Sequence, residues 1–328
     1  MRRRIGLIVA LCLLIAGGVL CGLRWRAWFA NPAEPEWTGD TIVGHRFLTF
    51  ADDSVRLCMQ RDTLSFVLFG DIHNSMRDSD FIAIAVRHPD VMFYAQLGDW
   101  MERPYFCYEQ GVYHSLRGAR FDSLPVLTVP GNHEYRKGVI KRLPGHWKEI
   151  FINPDNGPRR FMGTTYYVDF PTLRFVAIDT DGLQCLSDYT QVNFWVKRVL
   201  ESAGDRFTIV MMHHPVYSSA RGRQNPLVWL SFTRALQHAD IVFSGHDHNY
   251  ARKTVKHHAA ILRDVKPTVY IGTNSSSKRY ETKEHVVYDC ASCGRAVYEV
   301  VHVTPQAMCV RTYFVDDGEM LDEVLLTH

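Results

Sequence analysis

Five short polar clusters, each hung on the end of an apolar run, constrain this chain more than any other feature of it. They are Phe69-Gly-Asp71-Ile-His73, Leu97-Gly-Asp99, Pro130-Gly-Asn132-His133-Glu134, Met212-His213-His214-Pro215 and Ser244-Gly-His246-Asp-His248. Short apolar runs closed by turn residues read as buried strands. Loops beyond the carboxyl ends of such strands gather at one crevice of an α/β sheet, so the clusters are expected to share a site. Asp71 and Asp99 bring carboxylates to it, Asn132 an amide and the remainder imidazoles. Oxygen and nitrogen donors without thiolate suit two adjacent divalent metals, which points to metal-dependent hydrolysis.

Spacing inside the clusters refines that reading. Asp71 and His73 are two apart, so on a continuing strand both would face one side and share one metal. His246 and His248 can diverge to separate ions across a tight turn at Gly245. His213 and His214 are adjacent, hence on opposite faces, and only one of them is expected at the metals. A glycine before each of four ligand groups is expected to let the backbone bend sharply there.

The chain between the clusters alternates strand and helix. Leu64–Phe69, Val91–Leu97 and Pro125–Val129 read as strands, separated by helices over Phe81–Arg87 and Tyr105–Arg120. One or two leading strands are expected within Thr41–Met59. A hairpin turning at Pro171 joins Tyr166–Phe170 to Leu173–Ile178, and a helix capped by Asp188 covers Tyr189–Ser202. Phe207–Met212, Ile241–Phe243, Val269–Ile271, Val297–Val303 and Met308–Phe314 complete the strands. Interleaved elements followed by strands alone imply an α/β sandwich with two sheets.

The order D-x-H, G-D, G-N-H-[DE], H and G-H-x-H, across roughly residues 65 to 250, resembles the calcineurin-like metallophosphoesterase family. The resemblance implies two packed mixed β-sheets flanked by helices, an αββα sandwich. It implies a dinuclear centre ligated by Asp71, His73, Asp99, Asn132, His213, His246 and His248, with Asp99 bridging. Asn132 and His246 then go to the second metal and His248 to the first. Related phosphatases place a ligand His two residues before a proline, which selects His213 over His214. The reaction implied is phosphoester hydrolysis by a metal-activated hydroxide, with His133 assisting the leaving group or holding phosphoryl charge. Purple acid phosphatases share Gly-Asn-His-Glu134 and Gly-His-Asp-His-Asn249 but carry a tyrosine ligand where Glu102 stands here, and they lack a His at position 73. Tyrosinate-iron chemistry is therefore not expected, and the metals are Mn, Fe or Zn. Arg221-Gly-Arg223 could reach a substrate phosphate, and Asn74, Trp100 and Tyr135 are expected to line the crevice. A non-catalytic binding protein on the same fold is the alternative, as is a phosphodiesterase rather than a phosphomonoesterase.

The N-terminus stands apart from this domain. Met1-Arg-Arg-Arg4 precedes nineteen uncharged residues, Ile5 to Leu23, long enough to approach the roughly 30 Å of a bilayer core. The expectation is a signal-anchor or a signal peptide over residues 1–30, a linker over 31–40 and the catalytic domain over 41–328. That makes the domain membrane-anchored and exported, or secreted or periplasmic after cleavage. Five of the 37 Lys/Arg but two of the 35 Asp/Glu lie in the first 36 residues, leaving 32 basic against 33 acidic beyond them. That balance argues against a nucleic-acid surface and leaves a phosphoester small molecule or lipid as the expected substrate. Cys58, Cys107, Cys185, Cys290, Cys293 and Cys309 allow many pairings, and Cys290-Ala-Ser-Cys293 reads as a loop disulfide or as plain thiols.

Overall fold

Alternation decides which way each strand faces. In β1 (Leu64–Phe69), Leu64, Phe66 and Leu68 enter one apolar cluster while Val67 and Phe69 enter another on the opposite face. The computed structural model in which this is seen describes residues 60–104, 124–138, 140–256 and 266–328. The apolar segment and linker at the N-terminus, the leading strands within Thr41–Met59 and the helix expected over Tyr105–Arg120 lie outside the described residues. Among the described residues no helix is long and apolar enough to cross a membrane.

Two mixed sheets form. In the first, β1 pairs in parallel with β2 (Phe93–Gln96), and β2 with β3 (Val126–Thr128). On its other side β1 pairs antiparallel with β11 (Val297–Val303), followed by β12 (Ala307–Phe314) and the edge strand β13 (Met320–Thr327). In the second sheet β5 (Leu173–Ile178), β6 (Phe207–Met212), β7 (Ile241–Ser244) and β9 (Thr268–Gly272) run parallel. Antiparallel β4 (Tyr166–Asp169) closes one edge, and β8 (Tyr250–Val255) with β10 (Cys290–Ser292) the other.

The sheets pack face to face. Phe66 stacks on Phe93 at 4.5 Å within its own sheet and meets Phe175 of the other edge-on at 5.6 Å. Helices α1 (Asp78–Arg87) and α2 (Gly145–Ile150) cover the first sheet, inserting Phe81, Ile84, Trp147 and Ile150 against Val67, Tyr94 and Val126. Helices α3 (Leu186–Glu201) and α4 (Pro226–Phe232) cover the second, setting Val192, Val196, Val228 and Phe232 against Val176, Val210 and Val242. Four layers result, as a two-sheet sandwich requires when each sheet is apolar on both faces.

Several boundaries move. Helix α3 begins at Leu186 rather than Tyr189, and Asp188 caps it from inside the first turn: its Oδ2 accepts from the Gln184 N–H at 2.9 Å and the Cys185 N–H at 3.2 Å. Strands β8, β10 and β13 and helices α2 and α4 carry too little regular apolar spacing to be read in advance; β13 buries one residue of eight. Cys185, Cys290, Cys293 and Cys309 are free thiols, so the local Cys290–Cys293 pair is not a disulfide.

Candidate metal centre

The five clusters occupy the carboxyl ends of β1, β2, β3, β6 and β7, three from one sheet and two from the other. An isolated parallel bridge between Asp71 and Asn274 ties the sheets together at that edge. Asp71, His73, Asp99, His213 and His248 are all almost completely buried. Asp71, His73 and His248 bring ligand atoms within 4.8 Å of one another, as do Asp71, Asp99 and His213, and His73, Asp99 and His133.

The backbone at these residues is unusual. Among the described residues the non-glycine positions with positive φ are His73 (50°), Asn74 (55°), Asp99 (55°), His246 (69°) and His248 (51°). Left-handed backbone at a residue with a Cβ costs on the order of 1 kcal/mol or more and persists where surrounding contacts impose it. The turns are thus made largely by the ligand candidates themselves. Asp71 and His73 converge because the chain leaves the strand between them, not because a strand places them on one face. Among the preceding glycines only Gly98 bends left-handed, at φ 88°. Gly131 serves close approach instead, since a Cβ there would lie 2.3 Å from Asp99 Oδ1.

Side chains point inward with fixed partners. His213 Nδ1 lies 2.8 Å from the Leu97 carbonyl and so carries the proton, leaving Nε2 3.4 Å from Asp99 Oδ2 and 3.2 Å from Asn132 Oδ1. His214 turns away, its Nδ1 3.1 Å from Thr180 Oγ1 and 3.3 Å from Asp181 Oδ2. His246 Nδ1 is 3.3 Å from His213 Nε2, and its backbone N–H donates to Asp71 Oδ2 at 2.8 Å. His248 stacks on His73 at 4.9 Å, with Nδ1 3.3 Å from Ser276 Oγ. His133 donates its backbone N–H to Asp99 Oδ1 at 2.8 Å and turns Nδ1 to the Glu102 carbonyl at 2.7 Å.

These residues fit bound metal. Asp71 Oδ1 and His73 Nε2 are buried without any hydrogen-bond partner, a costly state unless a cation completes it. Burial pushes the imidazolium of His73 down to about 2 and that of His248 to about 3, keeping both rings neutral and ligand-ready. Burial alone would raise Asp99, but His213, His133 and His73 around it hold its carboxyl well below the usual range. Burial pushes Asp71 up to about 8, with His213 opposing the rise and the neighbouring Asp99 carboxylate adding to it.

Glu134 escaped sequence reasoning as more than a motif letter. Fully buried, its carboxylate accepts from the N–H groups of Gly131 (2.6 Å), Asp99 (2.7 Å) and Trp100 (2.8 Å). It thereby fastens the Asp99 turn to the Asn132 turn. Asp247 does the same for the loop after β6, accepting from the N–H groups of Ser219 at 2.5 Å and Ala220 at 3.1 Å. Trp100 does not line the crevice: it is fully buried against Phe151, its indole N–H on Thr128 Oγ1 at 2.9 Å. Tyr135 is also buried, donating to Asp179 Oδ2 at 2.6 Å. Arg223 does reach the site, with Nη2 2.9 Å from His246 Nε2, whereas Arg221 is exposed. Lys278, which no motif flags, stands 3.3 Å from His73 Nδ1.

The family model of the calcineurin-like phosphoesterases matches residues 64–250, a span holding all five clusters. The chain belongs to this family. One curated relative, the glycerophosphodiester phosphodiesterase GpdQ of Enterobacter lignolyticus, is 27% identical over 135 residues, covering 38% of this chain and 45% of that one. Among solved structures, the purple acid phosphatase PPD1 of yellow lupin (Lupinus luteus) superposes with a TM-score of 0.65 at 16% identity, over 82% of this chain and 54% of its own. GAP50, described as the anchor in the inner membrane complex of Plasmodium, gives 0.60 at 15% identity over 81% and 89%. The chain thus spans about half the length of the curated relative and of the lupin phosphatase. At these identities the structural matches establish the calcineurin-like fold.

Proposed function

We propose that the protein is a metal-dependent phosphoester hydrolase with two divalent ions, Mn, Fe or Zn, in this crevice. The observation that carries the proposal is the convergence of five loops on Asp71 Oδ1 and His73 Nε2, buried atoms without a hydrogen-bond partner that a cation would satisfy. Asp71, His73 and His248 would hold one ion, Asn132, His213 and His246 the other, and Asp99 both. Divalent metals at such a site supply Lewis-acid neutralisation of phosphoryl charge and an acidified water as nucleophile.

The chain's own groups do the rest. The Leu97 carbonyl and the Asp71 carboxylate orient His213 and the His246 backbone, so the donors are set before substrate arrives. His133, its Nδ1–H held by the Glu102 carbonyl and its side chain 27% exposed, can hold phosphoryl charge or pass a proton to the departing oxygen. Arg223, stacked 4.6 Å over Tyr280 and beside His246, is placed to bind a phosphate oxygen.

The phosphodiesterase activity in the name of the bacterial relative favours a diester substrate. The fold alone does not choose between enzyme and scaffold, since GAP50 shares it; the complete donor set favours the enzyme. Chromogenic aryl phosphate mono- and diesters, offered to the Mn-loaded protein and to His133→Ala, test the reading. A diester preference with kcat lower by roughly 10²–10⁴ in the variant is expected. Equal turnover in the variant would remove His133 from the chemistry, and a monoester preference would overturn the diester assignment.

A further inference from the structure

A second cavity lies beside the metal centre, about 250 Å³ in volume, and no metal-ligand candidate lines it. Ligand pockets run upward from roughly 300 Å³, so this one suits a single small group. Its walls are braced. Arg136 and Arg142, just after the Asn132-His133-Glu134 cluster, exchange backbone hydrogen bonds of 2.9 and 3.4 Å, which turns Lys141 back toward the loop after β5. Gln184 in that loop holds both backbone groups of Lys141, accepting from its N–H at 3.0 Å and donating to its carbonyl at 2.9 Å. Gly182 allows the close approach, since a Cβ there would lie 2.7 Å from the Tyr135 hydroxyl.

Lys141, Lys148 and Arg160 bring three cations to the wall. The carboxylates that pair with two of them stand outside the lining. Lys141 Nζ is 3.3 Å from Asp181 Oδ1, and Arg160 Nη1 is 2.5 Å from Asp188 Oδ1. Lys148 Nζ donates to the Met162 carbonyl at 3.1 Å, and among the described residues no carboxylate pairs with it. Asp179, the carboxylate within the wall, is already taken: Oδ2 accepts from the Tyr135 hydroxyl at 2.6 Å, and Oδ1 from the N–H groups of Asp181 at 3.1 Å and Gly182 at 2.8 Å. A lysine offers three N–H donors and an arginine five, so the wall keeps cationic donors that its own groups do not use. Leu143 and Phe161 line the remainder and suit the hydrocarbon that would carry an anion in. One layer of side chains separates the cavity from the centre. Asp181, beyond Lys141, sets Oδ2 3.3 Å from His214 Nδ1, and the His214 ring packs 4.4 Å from that of His246.

We propose that this cavity is an anion subsite, taking a carboxylate or phosphate at the end of the substrate remote from the ester that is cleaved. The inference rests on the hydrolase reading given above and adds the class of substrate, a phosphoester that carries a second negative charge.

Two chromogenic diesters with matched tails test it on the Mn-loaded protein: 4-nitrophenyl 5-carboxypentyl phosphate and 4-nitrophenyl hexyl phosphate. In the wild type the carboxylated tail is expected to lower KM by roughly 3- to 10-fold. Lys148→Met is expected to bring the two KM values close to parity and Lys148→Arg to keep most of the difference. Equal KM values in the wild type, or a difference that survives Lys148→Met, overturn the inference. Calorimetry of inorganic phosphate with the metal-stripped protein reads the cavity apart from the chemistry, and binding weaker by the same factor in Lys148→Met is expected. Phosphate bound in that way without any preference between the tails would make this a site for a free anion and overturn the substrate assignment. Turnover of neither ester, with phosphate still bound, would sink the hydrolase reading and leave the anion site standing.

Discussion

At the scale of single residues, most of the site's order comes from groups that never face the substrate. Glu134 joins three backbone N–H groups from two loops, and replacing one of its oxygens by an amide NH₂ sets donor against donor. Glu134→Gln is therefore expected to destabilise the fold by about 1–3 kcal/mol. Chemical denaturation read alongside metal content checks this; unchanged stability with intact metal binding would mean the N–H groups find other partners. The ligand candidates were legible in the sequence because ligand chemistry restricts residue type. Glu134, Asp247 and Lys278 were not, because a residue bonding a backbone N–H or a neighbouring side chain leaves no spacing signature.

At the scale of elements, strand ends set the donors and glycines set how closely the loops approach. Gly131 passes within a Cβ's reach of Asp99 and of His213 Cε1, at 2.3 and 2.9 Å. Gly131→Ala must push Asp99 or the Asn132 loop aside, and a shift near 1 Å at reacting groups costs roughly 10²-fold in rate. The expected result is a folded protein with kcat/KM reduced by about that factor; wild-type kinetics would show that the loops yield freely. Central strands such as β6 and β11 were legible to the residue, since burial on both faces keeps them largely apolar despite Thr208 in β6 and Glu299 and His302 in β11. The edge strands β10 and β13 were not. In β13 charge and exposure break the alternation, and pairing with β12 holds it instead.

At the scale of the whole molecule, two sheets meet along a layer that is apolar with a buried exception. Glu299 on β11 is fully buried, and burial pushes its carboxyl from the ordinary 4.5 up to about 8. A raised folded value means the neutral form is favoured by folding. The stability this group allows is whole below pH 4.5 and is lost as pH rises through about 8. Glu299→Gln is thus expected to match the wild type at low pH and to gain on it, by on the order of a few kcal/mol, toward pH 8. Thermal unfolding of the metal-free proteins across that range checks it, and a gap that does not widen with pH would contradict it. The two-sheet architecture was legible from the alternation of elements. So was the gathering of the clusters at one crevice, from their place at strand ends; which sheet each strand joins was not, because that depends on pairing across long sequence separations.

The central claim is that this edge is a metal centre that hydrolyses phosphoesters. The most direct measurement is of metal stoichiometry and turnover together, in wild type and Asp99→Asn, after stripping and reloading with Mn. Two equivalents bound with aryl phosphoester hydrolysis in the wild type, and both lost or sharply reduced in the variant, are predicted. Hydrolysis that persists in the stripped protein, or runs at wild-type rate in Asp99→Asn, would contradict the account.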